Sequence, residues 1–163
     1  MKRVWFLIGT IIIATAAALA QQTPDPAKPQ NQTGRQSLNI EALVNLYFDS
    51  LNEPGAQRRR ALTNQVWAER GKFGTPYAEV EGHDAIANLV ADVQKRFPNS
   101  TVRRTTRIDG FGDYWRWGFT LSEADGAPIL SGIDFAIIKN GKLQLVMGFF
   151  DFAPNNVNAR PLR

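Results

Sequence analysis

The sequence predicts a single α+β domain, with helices first and an antiparallel sheet after them. Two observations carry that expectation. Apolar residues recur at helical spacing in the first part of the domain, and four β-rich runs separated by turn residues fill the second. The two patterns do not alternate, so a parallel βαβ architecture is not expected. The length of 163 residues fits one domain.

Ser37 and Asn39 are suitable caps for a first helix reaching to about residue 52. Leu43, Leu46, Tyr47, Ser50 and Leu51 form its inner face, and Glu53-Pro54-Gly55 stops it. A second short helix is expected over 56–64. Its Arg58, Arg59 and Arg60 read as a solvated face rather than an anion contact. Residues 66–73 read as a strand. Gly82 then precedes a third helix with Asp84 in its first turn and a stripe of Ile86, Leu89, Val90 and Val93, ended by Phe97-Pro98-Asn99. The β-rich runs are 101–108, 114–122, 129–138 and 142–150. Asn140-Gly141 between the last two is the strongest hairpin signal in the chain.

The flanks have a different character. Lys2 and Arg3 precede an apolar run over 4–19, and Ala18-Leu19-Ala20 has the small-x-small pattern of a cleavage point. This is the layout of a secretory signal peptide, so residues 1–20 are expected to be removed and the protein exported, to a periplasm or outside the cell. Contact with a membrane is expected only if that segment stays uncleaved. Residues 21–36, with three prolines and five glutamines, read as a flexible tether; 37–152 is the domain, and 153–163 a flexible tail. Losing Lys2 and Arg3 takes the formal charge from +4 to +2, which leaves little basis for nucleic-acid binding. Cysteine is absent and histidine occurs once, which excludes a disulfide framework, a thiolate site and a multi-histidine metal centre. No phosphate-binding loop, nucleophile elbow or zinc-protease motif is present, so neither cofactor nor metal is expected.

Strand alternation selects the candidate site. In 114–122, Trp115, Trp117, Phe119 and Leu121 share one face, which must meet the helices or wall a pocket. Asp134 lies mid-strand on the face of Gly132 and Ala136, two small residues that leave room beside it. A carboxyl group there is either a proton-transfer group, its pKa raised by burial, or a structural acid paired with Arg116 on the next strand. His83 opens the third helix and is the one group that titrates near neutrality unperturbed. The last two strands are apolar on both faces, with Leu143, Leu145, Met147 and Phe149 on one and Val146 and Phe150 on the other. Something must cover the second face, and a second copy in a homodimer is the simplest cover.

From about Ile40 to Phe152 the chain resembles the SnoaL-like branch of the nuclear transport factor 2-like superfamily. The resemblance rests on Glu81-Gly82-His83-Asp84-Ala85-Ile86 opening a helix, Arg96-Phe97-Pro98 closing it, and Trp115-Arg116-Trp117 on a strand. Gly132-Ile133-Asp134, Asn140-Gly141-Lys142 and Gly148-Phe149-Phe150-Asp151 complete it. It implies a cone-shaped α+β barrel, with N-terminal helices packed in a strongly curved antiparallel sheet, a pocket at the open end and dimerisation through the sheet. In the family's enzymes a buried acid in the cone transfers a proton, and Asp134 matches that position. Two departures mark this chain: Thr75-Pro76 where similar sequences often have an acid before the proline, and Phe111-Gly112 where they tend to have histidines.

Three functions follow as alternatives. The first is a pocket that binds a small hydrophobic molecule walled by Tyr47, Trp115, Trp117 and Phe119. The second is a cofactor-independent isomerase-, cyclase- or hydrolase-type enzyme, with Asp134 as acid or base and His83 or Tyr47 as auxiliary donor. The third is a structural dimer without catalysis. Fold alone does not choose among them.

Overall fold

Residues 30–153 are described by the structure, a computed structural model. The expected signal segment, the start of the tether and most of the tail lie outside them. The first helix, α1 (Gln30–Asn52), ends where expected but starts seven residues before Ser37. Pro29 immediately precedes it and no proline interrupts residues 30–52, so nothing breaks the helix there, and residues 30–36 are helix rather than tether.

Two further helices follow, α2 (Ala56–Val66) and α3 (His83–Arg96). The strands are β1 (Trp67–Thr75), β2 (Ala78–Glu81), β3 (Thr101–Arg104), β4 (Asp109–Phe111), β5 (Tyr114–Ser122), β6 (Pro128–Lys139) and β7 (Lys142–Phe152). The expected run 101–108 is strand only over β3; residues 105–108 loop on to β4, which lies in the stretch after that run, and both strands pair with β5. The sheet order is β2-β1-β7-β6-β5-β3, with β4 also on β5.

The sheet is curved, open and mixed rather than a closed antiparallel barrel. Its β3, β5, β6 and β7 pair antiparallel, but β1 and β7 run parallel. The chain leaves β2 through α3, crosses to the far edge and meanders back. It therefore arrives beside β1 already pointing the same way, a pairing that only a helical crossover permits.

The concave face packs on the helices. Leu43, Val44, Tyr47 and Phe48 of α1 are buried against Trp117, Phe119, Leu121, Leu130, Ala136, Leu143 and Val146 from the sheet. The β5 alternation follows the sequence pattern. The β7 alternation does not, because the register slips between Ile137 and Ile138. That bulge puts Leu143 inside with Val146, Gly148 and Phe150, while Leu145, Met147 and Phe149 face out. The β6–β7 turn has Asn140 at φ 53° and Gly141 at φ 69°, the left-handed pair that a two-residue hairpin demands.

Arg59 departs from the solvated face expected of its triplet. Arg58 and Arg60 are exposed, but Arg59 is buried between α2 and α3. Its guanidinium donates to the carbonyls of Ala87, Glu53 and Pro54 and to Gln94 Oε1. Gln94 in turn donates to the carbonyls of Leu51 and Glu53 at the end of α1. These bonds pin the α1–α2 corner to α3.

Candidate functional site

Three elements bring polar groups to one point inside the cone. Asp134 is on the concave face of β6, only 3% exposed. In register with it are Trp117 on β5 and Gly148 on β7. Trp117 Nε1 donates to Asp134 Oδ2 at 3.1 Å, and Tyr47 Oη, from α1, donates to the same oxygen at 2.9 Å. Among the described residues no donor reaches Oδ1. A Cβ placed on Gly148 would lie 3.2 Å from that atom, so the glycine supplies the space beside it.

Burial among apolar side chains pushes the Asp134 carboxyl up to about 7. The Tyr47 and Trp117 hydrogen bonds favour the anion and oppose that rise, but both donors are neutral. Burial, the adjacent carboxylate and its hydrogen bond all push the Tyr47 hydroxyl well above its usual range, so Tyr47 remains a donor. Arg116 is not the partner of Asp134. It faces outward, opposite Phe135, and its guanidinium binds Asp109 at 2.8 Å and 3.0 Å.

Asp134 lies in the wall of a cavity of about 290 Å³, at the small end of the usual range for ligand pockets, about 300–1,000 Å³. Tyr47 and Phe119 line it, as the sequence suggested; Trp115, Trp117 and His83 do not. The cavity occupies the part of the cone around Phe119, Leu121 and Leu130. Trp117 is used up in holding the acid. Trp115 is two residues further along β5, about 7 Å away along the strand, where its Nε1 donates to the carbonyl of Gly112. His83 opens α3 some two turns before the first cavity residue of that helix, and its Nε2 sits 3.1 Å from the carbonyl oxygen of Trp67.

Other lining residues were not singled out by sequence. Leu89, Val93 and Phe97 come from α3, and Phe73, Tyr77 and Phe150 from the sheet and the β1–β2 turn. The α3 stripe was legible as an apolar face, but only the curvature of the sheet decides that part of it borders a space. Phe150 shares a face with Val146 in both sequence and structure, but two apolar faces do not tell which turns inward; Tyr77 was hidden by the absence of any recognised hairpin after residue 75. Among the described residues no three His, Cys, Asp or Glu side chains cluster in a way that could hold a metal.

A helix-filled open cone with one buried acid in the wall of an apolar cavity defines a class of small α+β pocket domains. Solved structures place the chain within it. A SnoaL-like family protein from Agrobacterium tumefaciens, assigned as an isomerase, superposes with a TM-score of 0.67 at 28% identity, over 71% of this chain and 99% of the other. A protein from Jannaschia assigned as a SnoaL-like polyketide cyclase gives 0.56 at 17% identity, over 69% and 85%. One from Kribbella flavida assigned as a ketosteroid isomerase gives 0.54 at 20%, over 77% and 90%. No sequence-family model matches the chain, nor does any curated protein. The fold is that of the nuclear transport factor 2-like proteins, and the likeness to solved SnoaL-like structures is consistent with that branch of the superfamily.

The raised pKa has a measurable consequence. Folded, Asp134 gives up its proton near pH 7; unfolded, near the ordinary 3.8. Between those values the folded state holds the extra proton. Stability from this group is therefore full below about pH 4 and falls as pH rises through 7, by about 4 kcal/mol over three pH units. Asp134→Asn keeps an acceptor for Tyr47 and Trp117 and removes the titration. In urea unfolding from pH 4.5 to 8, the variant is expected to gain on the natural protein as pH rises. A constant difference would show an ordinary carboxyl group.

Proposed function

We propose that the protein is an exported pocket domain that binds a small, largely apolar carbonyl compound and moves a proton on it through Asp134, without a cofactor. The observation that carries this reading is the one-sided solvation of the acid. Both donors converge on Oδ2, so Oδ1 is left for a molecule in the cavity. A base needs a pKa near the working pH, so that it is ionised yet still basic. Raising that pKa by burial serves the purpose without a second charge. The neighbours assigned as isomerases and cyclases support proton transfer as the reaction type. The narrower reading is binding without turnover, and the same experiment separates the two.

The test is exchange of the carbon-bound hydrogens next to the carbonyl of small apolar ketones in D₂O, followed by NMR. Exchange is expected to rise with pH up to about 7 and then level off, as Asp134 ionises. Asp134→Asn should slow it at least about a hundredfold. Binding that persists without exchange would leave a pocket protein and end the enzymatic reading.

The proposal includes a homodimer through the convex face of the sheet. Phe111 is 77% and Phe149 61% exposed there, beside the exposed Tyr114 and Ile133. Large exposed apolar side chains on one sheet face, Phe111 against Tyr114 and Ile133 beside Phe149, suit a partner surface. Light scattering should give twice the monomer mass at micromolar concentration, and Phe149→Glu should halve it. A monomeric natural protein would remove the dimer.

Export is the remaining part. It rests on the basic head, apolar run and Ala18-Leu19-Ala20 of the sequence. Among the described residues no helix is long and apolar enough to cross a membrane. Intact mass of the exported protein should place its first residue at Gln21. A full-length chain in the membrane fraction would refute cleavage.

A further inference from the structure

The cavity is apolar except for Asp134, Tyr47, Thr75, Tyr77 and two charged, solvent-exposed side chains, Asp92 and Arg96, one turn apart on α3. The two carry their charges differently. Asp92 is bound by Lys95 at 3.4 Å. Arg96 has no ion pair and no side-chain hydrogen bond among the described residues, and its guanidinium carbon lies 5.6 Å from the ring centroid of Phe97, itself a lining residue. Basic residues in a last helical turn are favoured by the helix dipole alone. Lys95 meets that description, because it is exposed, pairs with Asp92 and does not line the cavity. Arg96 does line it, so the dipole does not account for its position.

We propose that Arg96 is a specificity residue that selects ligands carrying an anionic group, a carboxylate by preference, at the end that remains at the mouth. The inference rests on the pocket reading above and adds the charge of the ligand. An apolar body fills the space between Phe119, Leu121 and Phe150, and the polar, uncharged part lies by Asp134. The anion cannot occupy that inner end, because two like charges in an apolar interior repel and each loses its hydration. At the rim it keeps water on one side and meets an unpaired guanidinium, whose fork of donors matches a carboxylate.

The test uses two probes of one shape, 4-phenylbutyrate and its neutral primary amide, titrated by calorimetry and by NMR shifts of the full-length protein at low salt. The acid is expected to bind about two- to fivefold more tightly than the amide, the range of a solvent-exposed ion pair. Arg96→Gln should erase that ratio, Lys95→Gln should leave it, and added salt should reduce it. If the amide binds as well as the acid, or if Arg96→Gln and Lys95→Gln act alike, Arg96 does not select the ligand, while the pocket itself stands. If neither probe shifts residues around Phe119 and Phe150, the pocket reading fails and this one fails with it.

Discussion

A carboxyl group buried without a cation is the constraint around which this structure is organised. Burying an isolated carboxylate is strongly unfavourable, and proteins usually answer with a basic partner. Here the answer is two neutral donors on one oxygen, and each donor comes from a different element. Tyr47 must lie on the inner face of α1, and Trp117 must be in register with Asp134 across the β5–β6 pair. Gly148 on the neighbouring strand leaves space beside Oδ1, since a Cβ there would lie 3.2 Å from that oxygen. The seating of α1 in the sheet, the register of three strands and the chemistry of the site are thus one arrangement. An arginine in the same place would stabilise the anion and hold the carboxyl well below the neutral range, leaving an acid of no use as a base near pH 7.

Much of this was legible in the sequence, because it depends on local periodicity. Period-two alternation put Trp117, Phe119 and Leu121 on one face and Asp134 with Gly132 and Ala136, and the structure keeps those assignments. The Asn140-Gly141 turn follows equally directly from the backbone angles that it requires. What could not be read depends on position along the cone. Trp115 and Trp117 share the inward face with Phe119, yet only Phe119 borders the cavity. Alternation tells in from out; it does not tell the filled end from the open one. The parallel β1–β7 contact and the β7 bulge were hidden for a related reason, since both arise from how distant segments meet. Arg59 was misread because its partners are backbone carbonyls, which no spacing of charged residues can reveal.

The two departures from similar sequences prove unequal once the geometry is known. Thr75 lines the cavity, where an acid would have faced Asp134. Its Oγ1 is occupied within the β1–β2 turn, accepting from the amides of Tyr77 and Ala78, so it does not replace the missing carboxyl. The loss leaves Asp134 as the one acid in the depth of the cavity and narrows the proposed chemistry to a proton taken and returned by a single group. Phe111 ends β4 and Gly112 begins the turn to β5, both outside the cavity lining, and Phe111 is open to solvent. Its replacement of a polar residue bears on the convex face and not on the acid.

The same burial that raises the Asp134 carboxyl toward neutrality makes its ionised form the less stable one. In the proposed role of base it has to be ionised, and the ionised state is the one that the surrounding apolar walls oppose. The rest of the fold has to hold that state in place. Tyr47 is packed edge-on against Phe48 and Trp67 and tilted against Trp117, so neither donor can turn away without disturbing the aromatic core. The Arg59 and Gln94 hydrogen bonds tie the end of α1 to α3, the same helix that supplies one wall of the cavity. A residue that destabilises its own protein when ionised persists where surrounding structure over-determines its position, and such a conflict between stability and local chemistry supports the proposal that Asp134 is a proton-transfer group.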